Sequence, residues 1–277
     1  MSWELLSPII IVSWAIFMIV LERIFPYDKG QKLFRVGFFT DFFWYTLVQS
    51  YVLGLVIKFL AINVIDRITG ISKYQLIAGW PTWLQLGVLF VVHDFYIYNF
   101  HKLQHRNKYL WRIHEAHHSV RDVDWLAGSR SHAFEILINQ TIEYAPFLLL
   151  GADPNLWLIK GVIDACWGMY IHSNIDVKSG WLQKIINGPE MHRWHHSSHI
   201  TEGGLNYATK LAIWDWLFGT AYLPKGEKPK GYGLSGGVVF PEGWLSYFVH
   251  HVWTFRRFEE PKPGVAEEAK LAQQPAE

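Results

Sequence analysis

The amino-acid sequence predicts an all-α integral membrane protein. The expected form is a helical bundle of about four to five spans or membrane-embedded helices, carrying a histidine-rich helical cap on its cytoplasmic side. Three observations predict it. The chain is 51% hydrophobic and only 18% charged, whereas soluble domains are about a quarter charged. Several apolar runs approach the length of roughly 20 residues that a helix needs to cross a bilayer. Histidines cluster at helical spacing in two separated places, HKLQHRNKYLWRIHEAHH (101–118) and HRWHHSSH (192–199).

The elements follow in chain order. LLSPIIIVSWAIFMIVL, from Leu5 to Leu21, carries no charge and is read as a first span. It is preceded by no basic region and followed by no small-residue cleavage site, so it reads as a retained segment and not a removed signal peptide. A second run, Phe42 to Ile65, is broken only by Lys58, whose long stem lets its charge reach the membrane surface. A third opens after Pro81 and runs from Trp83 to about Phe100, where the first histidines begin. A hairpin comes next: Ile136 to Leu150 out, the turn GADPN at 151–155, and Leu156 to Ile171 back. Glu143, Lys160 and Asp164 make this pair less apolar, which suggests shielding by protein, because a charge at mid-membrane costs a few kcal/mol; the alternative is a buried hairpin of the soluble type. GWLSYFVHHVWTFRRF near the C-terminus reads as an interfacial aromatic-basic helix, with His250 and His251 structural. The tail from Glu259 to Glu277 is polar and rich in Pro and Ala and is expected to be disordered. The resulting division is 1–82 N-terminal membrane helices, 83–223 histidine domain with its hairpin at 136–171, 224–258 loop and interfacial helix, and 259–277 tail.

Positive charge sorts the connections. Arg23, Lys29, Lys32 and Arg35 follow the first run; Lys102, Arg106, Lys108, Arg112, Arg121 and Arg130 follow the third; the loop at 63–82 has only Arg67 and Lys73. The positive-inside tendency places both histidine regions in the cytoplasm. An even pair of crossings separates them, so they face the same side and a shared site is topologically possible. A net charge of +1 gives no bias toward nucleic acid. A single cysteine, Cys166, excludes a disulfide framework and a cysteine-based metal site.

Histidine spacing carries the chemistry. His101 and His105 are four apart and share a helical face; His114, His117 and His118 follow i, i+3, i+4; His192, His195 and His196 repeat that pattern. Such spacing lets two or three rings of one helix reach a single ion. Eight nitrogen ligands exceed what one ion accepts and suit two. Imidazole serves Zn, Cu, Fe and Ni alike, so spacing does not select the metal. Asp94, Tyr98, His101 and His105 fall along one stripe at 3.6 residues per turn. Asp94 is therefore a candidate partner for a ligating ring's second N–H, or else a carboxylate facing headgroups. His93 lies off that stripe and is not assigned. His199, seven residues past His192, is an extra ligand, a second layer around the site, or a rim residue. GYGLSGG at 231–237 contains the spacing of a dinucleotide fingerprint but lacks its strand and helix, and is read as a loop.

These boxes together resemble the fatty acid hydroxylase/sterol desaturase superfamily, the histidine-box membrane oxygenases. The likeness covers about residues 83 to 223. DFYIYNFHKLQH and NKYLWRIHEAHHS are similar to that family's approaches to its first two boxes. SRSHAFE (129–135) resembles an Arg-x-His-Pro-x-Glu segment with Ala133 in place of proline. YIHSNIDV sets His172 where relatives carry an isolated histidine, and LNYATKLAIWDWLFGT resembles the family's ending with Ala208 for a glycine. The resemblance is nearest to the alkylglycerol monooxygenase-like and bacterial sterol-desaturase-like branches. It implies a di-iron centre that activates O2 to hydroxylate, desaturate or cleave lipids, with His132 and His172 as further ligands or as outer and packing residues. Zinc can replace iron on purification, because such sites often hold zinc more tightly than ferrous iron. Electrons come from outside: a ferredoxin, a cytochrome b5 type protein or a pterin. Sterol, fatty acyl, glyceryl ether and aminolipid substrates are all compatible.

Three rival classes remain. A bis-histidine heme or metal-binding membrane protein needs only two facing histidines. A divalent-metal transporter would place its ligands inside the spans. A carboxylate-bridged ferritin-like enzyme wants Glu-x-x-His pairs, and Glu115 and Glu190 are not placed that way.

Overall fold

In the computed structural model, which describes residues 1–199, 204–235, 238 and 240–256, the regular elements are all helices. The proposed disordered tail lies outside the described residues. Helix α1, Trp3–Ile24, is 22 residues long, or roughly 33 Å at 1.5 Å per residue. Helix α2 is continuous over Phe38–Thr69, with wider π-type winding at Asp41–Gln49 and Leu60–Asp66. Only 11% and 22% of their apolar windows are buried. A core helix of a soluble protein would be mostly covered; these instead present Leu5, Ile9, Val12, Ile16, Tyr51, Val52, Leu55 and Phe59 outward. The chain is a helical membrane protein with two helices long and apolar enough to cross by themselves.

Helix α3 spans Thr82–Arg106 and runs past the expected end of its apolar run to carry His101 and His105. Asn107 separates it from α4, Lys108–His118, by capping: its side chain accepts from the amides of Tyr109 and Leu110. The hairpin is α5, Ala133–Leu149, and α6, Leu156–His172, turning through 150–155. Pro189 opens the short helix α7, Pro189–His195, where its missing amide is no loss. Two further short helices are α8, Ile213–Leu217, and α9, Ser246–Trp253.

Helix α1 lies along α6, α2 along α5, and α3 against α4, α5 and α6. Around Met18, Phe38, Trp125, Leu126 and Ile175 a core joins α1 and α2 to the loops below the hairpin. The buried Glu22 carboxylate at the end of α1 accepts the amides of Trp125 and Asn174, both at 2.8 Å. Beside it, Asp41 binds the guanidiniums of Arg35 and Arg130, at 2.8 and 2.7 Å. These contacts hold the 123–132 loop and the end of α6 in register. The outer side of α9 exposes Leu245, Phe248, Val249 and Val252, as an interfacial helix would. Its buried His250 is bonded to Tyr45 and to the Pro241 carbonyl, so this residue is structural.

Candidate metal centre

Nine histidines, eight from α3, α4, α6 and α7 and His196 just past the end of α7, meet in one buried place. They form two adjoining groups: His101, His105, His114, His118 and His195, and His117, His172, His192 and His196. Within each group one nitrogen of every ring lies within 4.8 Å of the others. The groups abut, with His117 and His118 each 4.6 Å from His196 between ring centroids.

The triads divide between the groups, contrary to the expectation that one helix serves one ion. His114 and His118 enter the first group and His117 the second; His192 and His196 enter the second and His195 the first. The cause is helical geometry. At about 100° per residue, i+4 returns to one side of i while i+3 falls to the other. Helices α4 and α7 thus exchange their i+3 rings, and each holds part of both groups.

Backbone carbonyls and one carboxyl orient the rings. His101 Nδ1 donates to the Tyr207 carbonyl at 2.7 Å and His195 Nδ1 to the Leu205 carbonyl at 2.8 Å. His172 Nδ1 donates to the Gly168 carbonyl at 2.8 Å and His117 Nδ1 to the Arg130 carbonyl at 3.3 Å. His114 Nδ1 meets Glu135 Oε1 at 2.7 Å, and the same oxygen accepts from Gln104. Carrying their protons on Nδ1, these rings present bare Nε2 lone pairs inward. Yet Nε2 of His101 lies 3.0 Å from that of His114, and Nε2 of His172 3.3 Å from that of His117. Two bare lone pairs repel at that distance and are stabilised by a cation between them. Nitrogens about 2.1 Å from a common ion lie roughly 3 Å apart at a right angle. The residues present therefore fit two metal ions. Burial holds the imidazoles of His114, His117, His118, His192, His195 and His196 well below the usual histidine range, and neighbouring rings add to it. Neutral imidazole is the form that ligates.

Loops supply those carbonyls, and the sequence motifs show why. Asp215 accepts the amides of Tyr207 and Ala208, both at 2.9 Å, and the Thr220 hydroxyl at 2.7 Å. Asn206, in the left-handed region at φ 56°, donates to the Met191 carbonyl. Together they press the 205–209 loop against α3 and α7. Close approach also demands glycine: a Cβ on Gly128 would lie 2.6 Å from His172 Nδ1.

Three expected residues lie elsewhere. Asp94 touches no ligating ring; it accepts from the Leu211 amide and the Trp214 indole and anchors the 209–214 loop to α3. A stripe calculation finds the helix face but not the loop packed on it. His132 is outside both groups: it caps α5 by accepting from the Phe134 amide and packs on His251 at 4.4 Å between centroids. His199 is exposed, because α7 ends at His195 and its face does not continue. Sequence reasoning missed Glu135 as a partner and left out His93, which is buried with Nδ1 3.0 Å from Glu143 Oε1. In neither case does spacing carry a signal, since the partner stands on another helix.

Residues 86–220 match the family model described as fatty acid hydroxylase. The chain carries a fatty acid hydroxylase domain. Among curated proteins it is 29% identical to an ornithine lipid hydroxylase of Rhizobium tropici over 86% of this chain and 73% of that protein. It is 32% identical to human alkylglycerol monooxygenase over 62% of this chain and 38% of the other. A Delta(7)-sterol 5(6)-desaturase of Gibberella zeae shares 28% identity over 46% of this chain and 39% of its own length. The chain spans less than half the length of the alkylglycerol monooxygenases it matches. No solved structure matches. These likenesses make it an enzyme of the oxygen-dependent lipid hydroxylase and oxygenase kind.

Proposed function

We propose that the protein is a membrane-bound non-heme di-iron oxygenase that uses O2 and external electrons to hydroxylate or desaturate a lipid. The observation that carries this reading is the pairing of bare imidazole nitrogens at 3.0 to 3.3 Å in two adjoining groups. His101, His105, His114, His118 and His195 would hold one ion, and His117, His172, His192 and His196 the other. Iron in these sites supplies the electron transfer to O2 that oxidation of an unactivated C–H bond requires. The chain's own residues do the rest. Glu135 keeps the His114 proton on Nδ1, the 205–209 carbonyls do the same for His101 and His195, and the buried ring cage keeps bulk water away. A cavity of about 250 Å³ reaches His101, His114, His117, His172 and His192 from between α3, α5 and α6, and would admit the substrate.

Crowding argues against a heme: rings in contact at centroid separations of 4.2 to 4.7 Å leave no slot for a macrocycle. Neither group includes a carboxylate, which disfavours the ferritin-like alternative. The charge pattern supports a cytoplasmic site, where Arg106, Lys108 and Arg121 are exposed and would meet an acidic electron donor, whether a ferredoxin or a cytochrome b5 type protein; a pterin would serve without docking. The test is turnover under isotopically labelled O2, with iron-loaded protein, a chemical reductant and total lipids of the host. A lipid that gains a labelled oxygen, or loses two hydrogens, is expected. If every lipid species is unchanged while two irons remain bound, the oxygenase reading is wrong.

A further inference from the structure

The histidine cage has two sides, and the cavity uses one of them. His101, His114, His117, His172 and His192 line the cavity, whereas His105, His118, His195 and His196 are not in its wall. Trp111, on α4, packs its indole on two of those four rings, 5.1 Å from His105 and 5.4 Å from His118 between centroids. Both rings belong to the five-ring group. The indole is partly exposed. Tyr207 also lies on His105, but it is fully buried. Among the described residues, Trp111 is therefore the aromatic side chain that joins ligating rings to the protein surface. Its surroundings are basic. The segment 101–118 carries Lys102, Arg106, Lys108 and Arg112 against one acid, Glu115. That carboxylate is taken up by Arg256 at 2.6 Å and Arg112 at 3.5 Å. Lys108 stands three residues before Trp111 and so shares its helical face, and Arg106 and Tyr109 are exposed beside it. A basic rim with exposed aromatics suits an acidic protein partner. A protein cannot enter the cavity, so electrons from it must cross the wall of the cage. Tunnelling weakens steeply with distance and is carried best by rings in contact.

We propose that Trp111 is the electron-entry residue: an acidic one-electron carrier protein docks on the rim formed by Arg106, Lys108 and Tyr109, and its electrons cross the indole to His105 and His118. This deepens the oxygenase reading and rests on it. Each docking event oxidises the carrier by one electron and leaves the indole unchanged. Two events supply the two electrons that, with one O2 and two protons from water, turn a C–H bond into an alcohol and release one water. The substrate keeps the cavity to itself, because the carrier reaches the cage through rings that the cavity does not touch.

The experiment follows, without O2, the reduction of the iron-loaded, ferric full chain in nanodiscs by a photoreduced plant-type [2Fe–2S] ferredoxin, an acidic carrier. Iron content and the ferric Mössbauer spectrum are recorded for every sample. At saturating ferredoxin, Trp111→Leu should slow reduction about tenfold or more with iron content and spectrum unchanged. Trp111→Phe, which keeps a ring against His105, should recover most of the rate. Lys108→Glu puts an acid in the first turn of α4, where the helix tolerates it. It should raise the ferredoxin concentration for half-maximal rate about fivefold or more at low salt and keep the limiting rate. That difference should close as the Debye length falls from about 30 Å at 0.01 M to about 3 Å at 1 M. Lys108→Glu provides the second reading should Trp111→Leu fail to fold. An undiminished rate in Trp111→Leu, a shifted Mössbauer spectrum in that variant when folded, or no effect of Lys108→Glu overturns the proposal. So does wild-type iron that dithionite reduces and ferredoxin does not, which points to a diffusible donor. Iron that neither reductant reduces would instead remove the oxygenase reading.

Discussion

The two halves of the histidine cage are built differently. The five-ring group is dominated by boxes on consecutive helices, α3 and α4, with one ring borrowed from α7. The four-ring group takes His192 from α7 and His196 just past its end, His117 from α4 and His172 from α6, an isolated residue in no box. Its rings depend on loop and helix-end carbonyls, Arg130 and Gly168, and on the absence of a side chain at Gly128. The first half thus has a ligand to spare and the second does not, although the first also leans on loop carbonyls, those of Tyr207 and Leu205. The exchange of His117 and His195 means that α4 and α7 each contribute to both halves.

The sharpest way to break the comparison is to remove one ligand from each half. His172→Ala leaves three rings and should empty that site, halving metal content and lowering turnover by more than the about 10–100-fold typical of an outer partner. His105→Ala leaves four and should keep both metals, with a smaller loss. Equal effects in metal analysis would show that the halves are not separate sites. Next in size is Glu135→Gln. It can no longer hold the His114 proton as a carboxylate does, and metal affinity of the five-ring half should fall about 10–100-fold while the four-ring half stays loaded. Gly128→Ala should act oppositely. The added methyl crowds His172, and overpacking of about 1–3 kcal/mol corresponds to about 5- to 150-fold weaker binding in the four-ring half alone. The smallest change belongs to His132→Ala, a lost helix cap worth about 1 kcal/mol in thermal or denaturant unfolding, with two metals retained; loss of either would return His132 to the ligands.

What was legible in the sequence and what was not divides along the same line. Contacts within one helix follow from spacing, so the eight box histidines are readable, and so are the hairpin ends, expected at Leu150 and Leu156 and found at Leu149 and Leu156. Contacts between elements are not. Only the family likeness pointed to His172, which then joins the four-ring group, and the same likeness pointed to His132, which does not. Asp94 shares a face with His101, yet its carboxyl is claimed by Trp214 and Leu211 from a loop more than a hundred residues away. Box spacing grouped His117 with His118; their different sides of α4 matter only once α7 is seen to face both. The charges of Glu143, Lys160 and Asp164 were expected to need shielding, and the structure pairs them with one another and adds Lys210 and His93. That partnership spans three helices and a loop.

One determination bears on the centre most directly: iron per chain and Mössbauer spectra for anaerobically loaded wild-type protein, alongside lipid product formed on O2 addition. Two irons per chain in paired histidine environments, with product in proportion to the paired fraction, are predicted. Saturation at a single iron, or undiminished product from protein stripped of metal, would contradict it.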